Sequence, residues 1–297
     1  MRLSFVKMEA AGNDYTYFDG VSKRLPRIDW SILSSILADR HRGVGSDGLI
    51  LILPSEEADF EMRIFNADGS EGDMCGNGVR CMGLYAWDHG LASGSTFTVS
   101  TRAGEVTLEV SECDDVCSVD VTMPPPGFLR GEIPMAGNPR LLGAGVSLRL
   151  EGHTIPVYGV RVGNPNCVIF VRDPYAVDLE TLGPLLEEHA LFPMKTNVEL
   201  VTVVDRHHIQ ARVWERGSGI TLSCGTGACA AAIWAIRRGR CESPVEVTMP
   251  GGRLSVRWDG AEDLHLTGPV RESFRGSVIV PRATLLSPDD KCEENTE

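Results

Sequence analysis

The sequence predicts an α+β protein of two pseudo-symmetric domains that arose by internal duplication, and three observations carry that expectation. Two loops, Met74-Cys75-Gly76-Asn77-Gly78 and Ser223-Cys224-Gly225-Thr226-Gly227, stand 149 residues apart, each directly before an apolar helical pattern. At the same offset, Ile28-Asp29-Trp30 to Arg40 overlies Val177-Asp178-Leu179 to His189, each an Asp N-cap followed by an amphipathic helix. Phe60-Glu61-Met62-Arg63-Ile64-Phe65 likewise overlies Ile209-Gln210-Ala211-Arg212-Val213-Trp214, alternating strands that run into glycine-containing turns before the cysteine. Any two α/β halves share some such patterns. The coincidence of both Cys-Gly-x-Gly loops with the flanking helices at one offset makes duplication the better account.

The remaining elements follow in order. Gly12-Asn13 pairs with Gly163-Asn164, each after a short strand. The cysteine helices are expected over Val79 to Trp87, closing at Gly90, and over Ala228 to Ile236, closing at Gly239. Strands at Phe97–Ser100, Val106–Glu109 and Val119–Thr122 have counterparts at Val245–Thr248, Leu254–Arg257 and Leu264–Thr267. The run Met123-Pro124-Pro125-Pro126-Gly127 marks the boundary, and Gly276 to Val280 reads as a last strand returning to the first half. The expected domains are therefore 1–123 plus 271–297, carrying Cys75, and 124–270, carrying Cys224. The polar, acidic tail after Ser287 is expected to fray.

Composition narrows the function. The 297 residues allow two cores of ordinary size, and 42% hydrophobic with 23% charged residues is the balance of a soluble globular chain. A formal net charge of −13 counts against nucleic acid or an anionic membrane as partner. No apolar run approaches the roughly 20 residues of a membrane span, and the first residues lack a secretory apolar core. Nine irregularly spaced cysteines read as reduced thiols, so the expected compartment is the cytoplasm.

A thiol at a helix N-terminus sits among free N–H groups and the positive dipole end. A pseudo-two-fold duplication sets Cys75 and Cys224 across one cleft, with both helix ends aimed into it. A small carboxylate there would be held by N–H groups of Gly76, Asn77, Gly225 and Thr226, its α-carbon between two sulfurs. That arrangement suits removal of a proton from one face and its return from the other, which is racemisation or epimerisation. Two thiolates in one desolvated cleft repel, so the pair retains one proton. A helix end contributes about 0.3–1 kcal/mol to a thiolate, roughly 2 when partly buried. At about 1.36 kcal/mol per pKa unit this lowers a thiol by about one unit, toward neutral pH.

These residues resemble a known family. Phe65-Asn66-Ala67-Asp68-Gly69-Ser70-Glu71, Met74-Cys75-Gly76-Asn77-Gly78-Val79-Arg80-Cys81, Gly163-Asn164-Pro165, Thr196-Asn197-Val198-Glu199, Trp214-Glu215-Arg216-Gly217 and Cys224-Gly225-Thr226-Gly227-Ala228-Cys229 are similar to diaminopimelate epimerase over nearly the whole chain. The resemblance implies domains built as mostly antiparallel sheets, or barrels, each wrapped around a central helix. It implies a homodimeric enzyme that interconverts L,L- and meso-diaminopimelate with two bases and no cofactor or metal, on the route to lysine and peptidoglycan. By family pattern Cys75 and Cys224 are the acid/base pair and Glu215 assists Cys224. Asn13, Asn66, Asn164, Asn197 and Arg216 would bind substrate, and Gly76, Asn77, Gly225 and Thr226 would hold the reacting carboxylate. Amide side chains suit a distal end that carries both an ammonium and a carboxylate, since they donate and accept. Arg216 can grip the carboxylate bidentately, and Glu215 can answer the ammonium.

Three positions depart from the family. Asn166 stands where a His that assists the first thiol is usual, Gly48 where some members carry Gln, and Ile220 where an acidic residue is common. Cys81, Cys167 and Cys229 fall in apolar patterns and are expected in the core rather than on zinc, whose ligand spacing they lack. Asp68 and Glu71 read as turn and loop-capping groups. The competing functions are a same-fold racemase of another amino acid, such as histidine, and a thiol or ligand-binding relative without proton chemistry. The Asn at position 77, where proline racemase-like enzymes usually have His, counts against that branch.

Overall fold

The computed structural model describes residues 1–111, 117–150, 153–281 and 284, so the acidic tail lies outside the described residues. The first half comprises β1 (Arg2–Ala10), β2 (Asn13–Asp19), α1 (Trp30–Ala38), β3 (Gly48–Leu53), β4 (Phe60–Asn66) and β5 (Glu71–Gly72). It continues through α2 (Gly76–Asp88), β6 (Thr96–Thr101), β7 (Gly104–Ser111) and β8 (Ser118–Thr122). After β9 (Val146–Leu150) come β10 (His153–Val162), β11 (Asn164–Phe170), α3 (Leu179–Glu187), β12 (Asn197–Asp205) and β13 (His208–Glu215). Then follow β14 (Gly219–Thr221), α4 (Gly225–Arg237), β15 (Val245–Met249), β16 (Gly252–Trp258), β17 (Leu264–Pro269) and β18 (Arg271–Ile279).

The two halves repeat one pairing pattern. β1–β2 is antiparallel, β2–β3 parallel, β3–β4 antiparallel, β4–β6 parallel, and β6–β7–β8 an antiparallel meander. β10 to β17 repeat that order, with the parallel steps at β11–β12 and β13–β15. β8 pairs with β17, Val121 opposite Leu266, and this joins the halves. β18 returns to pair with β1, Phe5 opposite Gly276, over a longer stretch than the sequence indicated.

Local chemistry explains why the repeats fold alike. Asp29 and Asp178 cap α1 and α3 as expected, accepting from Ile32 N at 3.0 Å and Thr181 N at 3.2 Å. Gly12 and Gly163 turn the chain into β2 and β11 with φ of +82° and +71°, a region open to glycine at little cost. Helices α1 and α3 cover the outer faces, α1 placing Leu33 and Leu37 on Leu49, Leu51 and Phe65, and α3 placing Leu179 and Leu186 by Cys167, Val198 and Leu200.

α2 and α4 differ from the outer helices because they are buried on all sides. α2 is buried from Gly76 to Ala86 and α4 from Gly227 to Ala235, as expected of helices surrounded by protein. α4 packs against β10, β11, β12, β13, β15, β16 and β17; α2 packs against β1, β2, β7, β8 and β18. Cys81 and Cys229 lie inside this core, and Cys167 lies in the core under α3.

Candidate active site

Both central helices begin three residues earlier than the apolar pattern indicates. Cys75 and Cys224 are themselves the N-cap residues, in extended conformation, so the loop glycines form the first helical turn. The reason is local. A capping side chain relieves one unpaired N–H of that turn, and the Cys75 sulfur accepts from Gly78 N at 3.4 Å. The Cys224 sulfur instead lies 3.4 Å from Thr226 Oγ1. The helix ends meet closely: a Cβ built on Gly76 would touch the Gly225 Cα at 3.9 Å and one on Gly225 the Gly76 Cα at 3.7 Å, and the latter would also press to 2.9 Å on Leu266 Cδ2.

The two ends open into one cleft of about 910 Å³ lined by Cys75, Cys224 and Glu215. Asn13, Asn66, Gly76, Asn77, Gly225 and Thr226 also line it. The Cys75 thiol donates to Asn13 Oδ1 at 3.2 Å, while Asn13 Nδ2 donates to Asp47 Oδ2 at 2.6 Å. A carboxylate can only accept, so Asp47 decides which end of the Asn13 amide faces the sulfur. Thr221 Oγ1 donates to the Glu215 carboxylate.

Asn164, Asn197 and Arg216 stand behind this wall rather than on it. Asn166 Nδ2 donates to the Asn164 carbonyl at 2.8 Å and to Asn164 Oδ1 at 3.2 Å. Buried Asn197 donates to Asn166 Oδ1 at 3.2 Å and reaches the Cys224 sulfur at 3.9 Å. The Asn197 oxygen accepts from Arg216 N, and the exposed Arg216 guanidinium donates to the Met194 carbonyl at 3.1 Å. Asn166 thus links two amides in the wall rather than leaving a gap where His is usual. The Asn77 side chain is committed within the wall, its amide donating to Ser223 Oγ at 3.0 Å. Ile220 lines the cleft rim.

Burial reverses the direction expected for the thiols. It pushes the Cys75 thiol above the ordinary range, against the pull of the Gly78 N–H and the Tyr15 hydroxyl. Cys224 is pushed well up, by burial first and then by the Glu215 carboxylate beside it. Burial also raises Glu215, against the Thr221 hydroxyl. The contribution of a helix end is smaller than the desolvation of a buried anion.

The repeat also exposes an asymmetry. Beneath Gly78 the core presents Ile50, while the equivalent position beneath Gly227 is Glu199, whose Oε1 would lie 3.1 Å from a Cβ on Gly227. Glu199 is fully buried, and neither carboxyl oxygen has a hydrogen-bond partner among the described residues. Burial, reinforced by Glu215, holds it protonated well above the ordinary carboxylate value of 4.5. An acid raised in the folded state costs nothing below its unfolded pKa; above it, only the unfolded chain ionises and stability falls as pH rises. Glu199→Gln is therefore expected to gain stability over wild type between pH 5 and 7, by roughly 1 kcal/mol per pH unit. Urea denaturation across that range checks it, and a difference independent of pH would refute it.

Sequence reasoning did not find Asp47, Thr221, Ser223, Glu199 or Arg80. Only Arg80 left a signal, a cation inside an otherwise apolar helix. Asp68 closes its turn as expected, accepting from Ser70 N at 2.9 Å, whereas Glu71 caps no loop: it lies in β5 and pairs with Arg63 at 2.7 Å. Among the described residues no cluster of three or more His, Cys, Asp or Glu side chains could hold a metal ion.

Known proteins resemble this chain at two levels, sequence and fold. The family model described as diaminopimelate epimerase matches residues 5–128 and 158–272. A diaminopimelate epimerase from Desulfitobacterium hafniense is 42% identical over 283 residues, covering 93% of this chain and 98% of the relative. One from Geobacillus thermodenitrificans is 42% identical over 275 residues, covering 92% and 95%. Among solved structures, a hydroxyproline epimerase from Agrobacterium vitis matches with a TM-score of 0.69 at 17% identity, covering 93% of this chain and 92% of that one. A phenazine biosynthesis protein of the PhzF family from Bacillus anthracis gives 0.69 at 15%, covering 94% and 100%. At such identities these two share the fold, whereas the family match and the close relatives establish more: the chain belongs to the diaminopimelate epimerase family.

Proposed function

We propose that this protein interconverts L,L- and meso-diaminopimelate by a two-base reaction at Cys75 and Cys224. The observation that carries the reading is that both cysteines cap helices whose N-termini abut in one cleft. One thiolate takes the α-proton, and the opposing thiol returns a proton to the other face. First-turn N–H groups at Gly76, Asn77, Gly225 and Thr226 hold the α-carboxylate and the charge that develops beside it. Glu215, held by Thr221 and half-buried next to Cys224, assists that thiol. Asn13 and Asn66 meet the distal end of the substrate. Arg216 reaches it by exchanging the Met194 carbonyl for a carboxylate, with Asn164 and Asn197 supporting the wall.

We assign residues 1–123 with 271–297 and residues 124–270 as the two domains, which fits the return of β18 to β1 and the single β8–β17 seam. A homodimer fits the exposed apolar side chains of β18, Phe274 and Ile279, and free thiols throughout the described cysteines fit a cytoplasmic enzyme.

The test is to incubate reduced protein with L,L-diaminopimelate in D₂O and follow α-deuterium uptake together with appearance of the meso isomer. Both are expected, with no exchange of histidine, lysine or proline. Exchange of one of those instead would transfer the site to another racemase, and exchange of none of the four would leave a binding protein.

A further inference from the structure

Arg80 has no exposed surface and is the bulkiest fully buried side chain of the described residues. It lies on α2 one turn beyond Cys75, where the repeat places Cys229 in α4. Buried guanidinium groups are ordinarily answered by a carboxylate, because an unpaired buried charge is costly. Here the ionisable groups that face it are Cys75 and Cys81 of its own helix, Cys229 of α4 and Tyr17 of β2. On the β17 side it meets backbone, with Nη2 3.1 Å from a Cβ built on Gly268. Nη1 donates to the Gly76 carbonyl at 3.1 Å and Nη2 to Asn77 Oδ1 at 2.8 Å, while Nε has no partner.

These bonds fix more than the guanidinium. Arg only donates, so the Asn77 oxygen must face it and the Asn77 amide nitrogen must face Ser223. Ser223 Oγ receives that bond at 3.0 Å and passes its own hydrogen to the Ala11 carbonyl at 2.7 Å. The chain therefore runs from α2 to the Cys224 loop and back to the β1–β2 turn, tying the two cysteine loops together. The surroundings of the sulfurs are unequal. Cys224 faces Glu215 of β13 and Glu199 of β12. Around Cys75 stand Arg80 of its own helix, Tyr15 and Tyr17 of β2, the Glu215 carboxylate and, across Asn13, Asp47; the Arg80 charge also acts on Cys81 and Cys229.

We propose that Arg80 is a positioning residue whose unpaired buried charge makes Cys75, rather than Cys224, the thiolate of the resting enzyme, while its bonds to Gly76 and Asn77 set the spacing of the two loops. The cation lacks a carboxylate because the anion it answers is made in the cleft, first the Cys75 thiolate and then the substrate carboxylate. This rests on the assignment of the two cysteines as the acid/base pair.

The test reads charge placement directly and needs no turnover. The free protein is treated with iodoacetamide across pH, and modification of each cysteine is followed by peptide mass spectrometry; the pH midpoint reports the thiol independently of access. In the wild type, Cys75 is expected to have the lower midpoint. In Arg80→Met that midpoint is expected to rise by about one pH unit, while Arg80→Lys, which keeps the charge, returns it most of the way. An unmoved Cys75 midpoint in a folded Arg80→Met protein reduces Arg80 to packing and overturns the proposal. Should Arg80→Met fail to fold, the wild-type comparison decides, because a lower midpoint at Cys224 overturns it as well. Absent epimerisation with the expected midpoints would instead count against the functional reading and leave the charge placement standing.

Discussion

Replacing either Cys75 or Cys224 with alanine is expected to cut epimerisation by about 10²–10⁴-fold, the range for loss of a positioned acid or base. The two helices approach the cleft from different halves of the chain, so neither sulfur can replace the other on the opposite face of the substrate. The single variants should nevertheless differ from a dead site. A remaining thiolate can still remove a proton from the isomer that faces it and return one to the same face. In D₂O, each variant is therefore expected to exchange the α-hydrogen of one diastereomer without inversion, and the two variants should prefer opposite diastereomers. Removing both thiols should cost little more than removing one, because residues that act as a unit are not additive. Proton NMR separates these outcomes, since exchange and inversion are observed independently. Substantial inversion by either single variant would mean that a group other than the two cysteines moves the proton.

Why the cysteines were legible and their surroundings were not has a physical explanation. Duplication writes the same backbone twice, so strands, Asp caps and cysteine loops recur at nearly constant spacing, and spacing is what a sequence displays. β2, β3 and β4 have their counterparts in β11, β12 and β13 down to the parallel step. The groups around the cysteines break the repeat instead. Arg80 answers to Cys229, Glu199 to Ile50, and Gly48 to Asn197, and nothing in periodicity tells which member of such a pair is the functional one. The destination of an amide is hidden in the same way. Asn77 reads as a backbone N–H donor to the carboxylate, and nothing in the sequence tells that its side chain is committed to Arg80 and Ser223. The helix starts lie beyond the apolar spacing, which begins only at Val79 and Ala228: the extended cysteines are the N-caps, and only Cys75 caps with its sulfur.

Gly48 illustrates how such a break constrains the site, and the second large effect is expected there. The position opens β3, between Tyr15 on β2 and Asn66 on β4. In this chain its φ is +156°, and a Cβ would lie 2.1 Å from the Phe65 carbonyl oxygen. The obstacle is backbone, held in the β3–β4 ladder, and cannot turn aside as a flexible side chain would. Gly48→Ala and Gly48→Gln are both expected to lose about 3 kcal/mol or more, through the disfavoured backbone angle and the overlap together. For a chain of this size that is a fall in Tm of roughly 6–12 °C. Denaturation of both variants checks the cause: a steric origin predicts nearly equal losses for Ala and Gln, whereas a small loss for Ala would place the fault in the longer side chain. A side chain at position 48 is thus excluded by the path of β4 itself. Polar contacts at this end of the cleft must therefore come from the neighbours that already face it, Asn13 held by Asp47 and Asn66 held by Ser70. Their loss should accordingly weaken substrate binding while leaving the fold intact.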